Sequence, residues 1–461
     1  MMFRASRGRG GWLASAIVLA LIESLLLRGC DAFRPATLGL PRLYRGAASC
    51  ARSTAGSWGT KMVGTPFPAS ATASSPAIPP PLVEAVRDTS VTPSKLLALG
   101  RTRFLLYSPV MYCIGVAFAS TCGGIDILRG GLVPLGLALV LVIHSMTHFF
   151  NEYYDYPTDV AHIDPSPWTG GSKVLRNGLL QRPVALTAGL VLCTTAALIT
   201  LRMVALAWAL SSRMAPPAAV GSIALAAIVC SIGYSAPPLR FEARGLGEAD
   251  VALVLNFLVP LMGYVTAAAS APGFISVAPP PALLAILLPL MMIEFARMMV
   301  MNMADIVPDI QTGKLTLPCR IGLPAAKRLH GLIMGAGYVL AAGSIAVAPV
   351  LPLHLLVATL PAAFLHSRVV ARGTWQYAAP FWASQHNGLC MVSVLLGLLL
   401  QSRSALGPTQ FLICSAVMVP IISTFPVLFR EIGKASTRRP YQRGPPLIES
   451  SDMISIIKSS S

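Results

Sequence analysis

The sequence predicts an all-α fold: a polytopic membrane bundle of nine core helices, with a candidate tenth near the C-terminus. Three observations point there. The 461 residues are 54% apolar and only 11% charged, less than half the charged fraction of a typical soluble domain. Their mean hydropathy is +0.68. Apolar runs of about 20 residues, the length that crosses a bilayer as a helix, recur along most of the chain. Helix is the form such runs take, because backbone exposed to lipid must satisfy its own hydrogen bonds. An ordinary soluble globule, a coiled coil and a mainly disordered chain are excluded.

The first 95 residues read as a leader and linker outside the fold. Arg4, Arg7 and Arg9 precede the apolar stretch 12–27, an arrangement of charge and apolar length that matches a signal peptide. From 32 to 83 no acidic residue occurs, while Arg34, Arg42, Arg45, Arg52 and Lys61 lie among Ser, Thr, Ala and Pro. That composition matches a transit peptide. A signal peptide followed by a transit peptide, with Phe33 near the junction, resembles the bipartite leaders of proteins sent to the plastids of algae; mitochondrial and ER membranes are the alternative addresses.

Ten apolar stretches follow, at 104–122, 131–150, 184–201, 217–235, 250–271, 281–302, 330–349, 351–367, 387–401 and 409–429. The membrane domain is therefore expected at 96–430, with a basic, Ser-rich and disordered tail at 431–461. Loops before the first stretch and after the even-numbered ones carry thirteen Lys or Arg, against four in the opposite loops. This asymmetry fixes a positive side. The formal net charge of +17 is spread over the leader, these loops and the tail, with no clustered basic face of the kind nucleic acid requires. The nine cysteines are scattered without metal-ligand spacing.

Acidic residues are scarce beyond 103, yet two groups lie on the positive side. Glu152, Asp155, Asp159 and Asp164 follow the second stretch; Asp305 and Asp309 follow the sixth. Asn151, Asp155 and Asp159 have i, i+4, i+8 spacing, which puts them on one face if the helix continues, although Pro157 can distort it. Asp305 and Asp309 repeat the i, i+4 step after Asn302. Carboxylates gathered at a membrane surface repel unless a cation or substrate compensates. Oxygen ligands without His or Cys suit Mg²⁺, which commonly bridges a few carboxylates to substrate phosphates. Two such groups suggest two metal sites facing a diphosphate; solvated loop acids are the plainer alternative.

Each acidic group is followed by a glycine and basic segment: Gly170, Gly171, Lys173 and Arg176 after the first, Gly313, Lys314 and Arg320 after the second. Such residues allow close backbone approach and can neutralise phosphate oxygens, or they can simply set topology. A third loop on the same side, from Tyr234 through Pro237, Pro238 and Arg240 to Glu248, could close over the other two.

At these residues the sequence resembles the UbiA superfamily of intramembrane aromatic prenyltransferases. Asn151-x-x-x-Asp155-x-x-x-Asp159 is similar to its first aspartate-rich motif, Asp305-x-x-x-Asp309 to its second, and the Tyr234–Arg240 segment to the loop between them. The strings NEYYDY, TGGSKVLRNGLL and DIVPDIQTGKLTLPCRIG look most like the MenA-type branch. Glu152 departs from the Asp usual there, and a tenth span would exceed the usual nine.

The resemblance implies an Mg²⁺-dependent prenyltransferase that joins an isoprenoid diphosphate to an aromatic acceptor within the bilayer. In this branch the acceptor is 1,4-dihydroxy-2-naphthoate, on the way to menaquinone or phylloquinone; homogentisate or chlorophyllide would use the same motifs. It implies Asn151, Asp155, Asp159, Asp305 and Asp309 as Mg²⁺ ligands and catalytic residues. Substrate-binding roles would fall to Tyr154, Lys173, Arg176, Tyr234, Arg240, Asn302, Lys314 and Arg320. Tyr153, Tyr154 and Tyr156 could also shield an allylic cation through their π faces. A membrane transporter is the competing class, but it would place polar residues at helix breaks near mid-bilayer, whereas here they gather at span ends. Glu294 and Arg297 are the most costly intramembrane charges, spaced to pair at i, i+3.

Overall fold

The computed structural model describes residues 90–401 apart from the short segments 102–103, 122–130, 164, 166–167, 212, 272–275, 348–349 and 374–377. The expected leader up to residue 89, the tenth stretch at 409–429 and the tail lie outside the described residues. All described regular structure is helical, and eight helices are long and apolar enough to cross a membrane.

A short helix, α1 (Pro93–Leu99), starts three residues before the expected start of the domain at 96 and is capped by the Thr92 hydroxyl. Its Leu99 is buried with Phe149 and Leu175. Then come α2 (Tyr107–Thr121), α3 (Leu132–Tyr154), the short α4 (Tyr156–Ala161), α5 (Arg182–Ser211) and α6 (Ala215–Gly233). α7 (Gly247–Ser270) contains a π turn over Val254–Leu258. Pro260 lies two residues after that turn and has no N–H to give its preceding turn, so a wider turn there relieves the mismatch. α8 (Pro281–Ala304), the short α9 (Ile306–Gln311) and α10 (Leu317–Ile321), α11 (Leu323–Val347), α12 (Leu351–Val357), α13 (Leu360–Arg372) and α14 (Ala378–Gln401) complete the set.

Two expectations are corrected in detail. The eighth stretch is one span built from two helices, α12 and α13, broken at Ala358 and Thr359 just before Pro361. The ninth begins nine residues earlier than expected, because α14 starts at Ala378 rather than 387. Its first turns hold Ser384, His386 and Asn387, all buried, polar positions that hide an early helix from a hydropathy reading.

α7 and α8 are the most buried spans, and α5 and α11 the most exposed. α2 lies against α7 so closely that glycine is required on both helices. A Cβ at Gly115 would stand 1.8 Å from the Pro260 carbonyl oxygen, and one at Gly263 2.1 Å from that of Tyr112. Lacking a hydrophobic drive between helices in lipid, small residues at such crossings let backbones gain dispersion contact.

α3 and α8 end alike. Each long helix stops at an aspartate, Asp155 (φ −89°, ψ 1°) or Asp305 (φ −106°, ψ 8°), and resumes as a six-residue helix. The first break has a visible cause. Pro157 cannot donate to the Tyr153 carbonyl, and Arg182 Nε takes over that carbonyl at 2.9 Å. The straight continuation that would align Asn151, Asp155 and Asp159 is thus replaced by a bend, and the bend turns α4 toward α9. Thr158 and Thr312 hydrogen-bond at 2.8 Å, so both acidic segments meet on one side of the bundle.

Candidate active site

The centre of the meeting point is Lys314. Its ammonium lies 2.7 Å from Asp155 Oδ2, 3.3 Å from Glu242 Oε2 and 3.6 Å from Asp309 Oδ1. One carboxylate comes from each of the three loops on this side. Lys314 reaches the centre because Gly313, with φ +73°, turns the chain back after α9, and its N–H donates to the Asp309 carbonyl. Three carboxylates against one ammonium leave an excess of two negative charges if all are ionised.

Burial alone would lower the Lys314 pKa, but Asp155, Asp309 and Glu242 hold it well above its ordinary value. The carboxyls themselves carry the cost. Burial, with Asp155 nearby, pushes Glu242 up to about 7. Asp309 and Asp159 are raised well above the usual carboxylate range, again by burial first. Asp309 Oδ1 is buried without a hydrogen bond. Tyr234 sits within electrostatic reach of Glu242 and Lys314, and burial raises its phenol.

Around this centre the loops are fastened by their own bonds. Asn151 Nδ2 donates to Ser235 Oγ at 3.0 Å and to Glu242 Oε2 at 3.3 Å, which joins the first loop to the second. Asn302 donates to Glu248 at 2.7 Å. His162 Nε2 lies 3.1 Å from Asp305 Oδ1. Glu152 is 2% exposed and holds structure rather than facing the centre. It accepts from Arg101 Nε at 2.6 Å, and from the N–H and hydroxyl of Ser172, each at 2.7 Å. Arg101 also stands 3.9 Å from Asp159. Gly171 (φ +64°) comes so near Asp159 that a Cβ would lie 2.1 Å from its Oδ2.

The expected site residues therefore divide. Asn151, Asp155, Asp309, Lys314 and Tyr234 converge; Asp159 and Asp305 flank them through Arg101 and His162. Lys173 is turned away from the centre and donates to the carbonyls of Thr169 and Gly171, bracing its own loop. Arg320 is exposed and ties its own loop to the 234–248 loop by donating to the Leu315 and Ala243 carbonyls. Arg240 is exposed at the turn, and Arg176 keeps one buried guanidinium nitrogen without a partner. Tyr153 and Tyr156 stack about Arg182, at 4.4 and 5.5 Å from its Cζ, which leaves Tyr154, edge-on to Tyr153 at 5.0 Å, as the tyrosine of the three without that role.

Sequence reasoning passed over Glu242, Arg101, His162 and Ser235. Glu242 had a signal: it is one of the few acidic residues beyond 103, in a loop already under suspicion. A trio of buried histidines, His330, His366 and His386, with ring centroids 5.2 and 5.7 Å apart, had none, since the three are far apart in sequence.

The raised Glu242 carboxyl sets a pH expectation. The folded chain keeps its proton where the unfolded chain has lost it, so stability falls as pH rises from about 4.5 to about 7 and is level above. The difference amounts to roughly 3 kcal/mol at about 1.4 kcal/mol per unit. Melting of the ligand-free chain in micelles should drop across that window, and Glu242→Gln should flatten the drop; an unchanged slope in the variant would locate it elsewhere.

Among the described residues no three acidic, His or Cys side chains form a ready metal cage. No curated protein matches the sequence. Similar solved structures are those of a UbiA homolog from Archaeoglobus fulgidus. The one bound to DMAPP and Mg²⁺ is 15% identical with a TM-score of 0.47, the match covering 68% of this chain and 98% of that one. The one bound to GPP and Mg²⁺ is 13% identical with a TM-score of 0.44, covering 68% and 99%. The model of the UbiA prenyltransferase family matches residues 108–387, a stretch that holds all three loops, and the chain belongs to that family.

Proposed function

We propose that the chain transfers a prenyl group, with Mg²⁺, from an isoprenoid diphosphate to 1,4-dihydroxy-2-naphthoate in a plastid membrane. The observation that carries the diphosphate half is the gathering of three carboxyl groups, one from each loop, about Lys314. Buried carboxylates in surplus call for cations, and hard oxygen donors favour Mg²⁺. Mg²⁺ usually takes only one or two protein carboxylates and completes its shell with waters and substrate phosphates. Paired aspartates without a closed cage fit that habit. Asp155 and Asp159 on one side, and Asp305 and Asp309 on the other, would hold the ions, with Asn151 orienting Glu242 and Ser235.

When bound, the ions would neutralise the diphosphate and make it a better leaving group. The chain's own part is to bind and orient. Lys314 offers the diphosphate a fixed positive charge. The apolar bundle excludes water from the allylic carbon as its bond to oxygen breaks. Tyr154 would shield the allylic carbon through its π face, and the electron-rich ring then attacks that carbon, with the naphthoate carboxylate lost as CO₂.

The branch assignment rests on the three sequence strings and the compartment on the leader composition. Membranes containing the full chain, given geranylgeranyl diphosphate and the naphthoate, should form the prenylated product with Mg²⁺ and none with EDTA, read by mass. Turnover of homogentisate alone would keep the chemistry and refute the acceptor. Absence of any Mg²⁺-dependent product, in protein that melts cooperatively, would refute the reading as a whole.

A further inference from the structure

A second polar layer lies inside the bundle beneath the carboxylates. Arg297 precedes Asp305 by eight residues on α8, about 12 Å along the axis. Its Nε donates to both oxygens of Glu294 at 3.0 Å, and its Nη2 donates to Glu294 and to Met298 Sδ. Nη1 makes none of these bonds. Asn387 of α14 donates to Glu294 Oε2 at 2.6 Å. Tyr107 of α2 lies under the guanidinium, 5.5 Å from ring centroid to Cζ, and donates to the Ser384 carbonyl at 3.0 Å.

Two atoms of this layer are buried without partners: Asn387 Oδ1 and Ser384 Oγ, on residues 0% and 1% exposed. Buried polar atoms are satisfied in nearly all proteins, so a cluster of orphans beside a charged pair asks for a ligand. Tyr234 is within electrostatic reach of both Lys314 and Arg297.

We propose that this layer is the acceptor site, and that Arg297 selects aromatic acids by their carboxylate. The inference rests on the prenyl-transfer reading and deepens it. With the diphosphate at Lys314, the allylic carbon must point into the bundle, toward Arg297. An aromatic acid whose carboxylate meets Nη1 lies between the two layers. Asn387 Oδ1 accepts from a ring hydroxyl, and Ser384 Oγ can donate to its oxygen. Glu294 and Asn387 hold the guanidinium in place, which spares the acceptor the entropic cost of ordering it. A pair that merely braced the helices would leave Nη1 and both orphan atoms without purpose.

The test compares binding of two rings, 1,4-dihydroxy-2-naphthoate and 1,4-dihydroxynaphthalene, to the full chain in micelles without donor. The wild type should favour the acid by at least about tenfold, the scale of a charge-assisted bond. Arg297→Gln should bring the ratio near one, and Arg297→Lys should keep part of it. Because Arg297→Gln leaves Glu294 buried and unpaired, the neutral pair Glu294→Gln with Arg297→Gln is measured alongside, with the same collapse expected. Equal binding of the two rings by the wild type, or a ratio kept in the neutral pair, would overturn the proposal. Binding of geranylgeranyl diphosphate with Mg²⁺ is followed in the same preparations. It should be unchanged in these variants, and its failure in the wild type would refute the prenyl-transfer reading while the two-ring ratio still judges Arg297.

Discussion

Replacing Asp155 or Asp309 with alanine should cut prenyl transfer by roughly 10²–10³-fold, the cost of removing one preorganised electrostatic contact at a reacting charge, and should at the same time raise the melting temperature of the ligand-free chain. The two effects share one cause. Three carboxylates face one ammonium, so deleting either aspartate relieves repulsion that the resting protein tolerates for the sake of binding. Stability gained where activity is lost marks a functional site. Steady-state turnover by mass, with melting of the same samples, checks both halves. Loss of activity together with loss of stability would mean that the aspartate serves the fold.

Glu152→Ala should behave in the opposite way and lose fold and activity together. Glu152 satisfies Arg101 and both the N–H and hydroxyl of Ser172. Its removal strands a guanidinium whose side chain is 17% exposed and frees the loop that carries Gly171 to Asp159. Breaking a buried pair by deleting one partner costs about 3–5 kcal/mol; the partial exposure of Arg101 lowers that toward the bottom of the range. Glu152→Asp should lose less, since the charge stays and only the reach to Ser172 shortens. Limited proteolysis at residues 168–173, alongside melting, reads the result. A variant that melts like the wild type, with an intact loop, would remove Glu152 from its structural role.

These contrasting expectations could not be drawn from the chain alone. Eight of its spans and the two acidic segments were legible, because apolar length and the i, i+4 spacing of Asp155, Asp159, Asp305 and Asp309 are local properties. The division of labour within the acids was not. Glu152 sits between Asn151 and Asp155 in sequence, yet the end of α3 turns it toward Arg101 and Ser172 while Asp155 turns to Lys314. Which carboxylate faces a cation depends on loops that approach across about 90 and 160 residues of chain. The bend at Asp155 shows the same limit. Pro157 announces a distortion, but its direction follows from Arg182 capturing the Tyr153 carbonyl, a partner 29 residues away. The early start of α14 was hidden because Ser384, His386 and Asn387 are polar yet buried, the last two with partners on other helices.

The central claim is that the two aspartate segments act together as one diphosphate site filled by divalent cations. Mn²⁺ in place of Mg²⁺ makes those ions visible by electron paramagnetic resonance. In the full chain in micelles with geranylgeranyl diphosphate, bound Mn²⁺ should appear at up to two ions per chain, and either Asp155→Ala or Asp309→Ala should weaken the binding of both. Without diphosphate the affinity should be much lower, because the substrate supplies ligands that the aspartates do not. Mn²⁺ bound equally well without diphosphate, or untouched when one segment is disabled, would contradict a shared site.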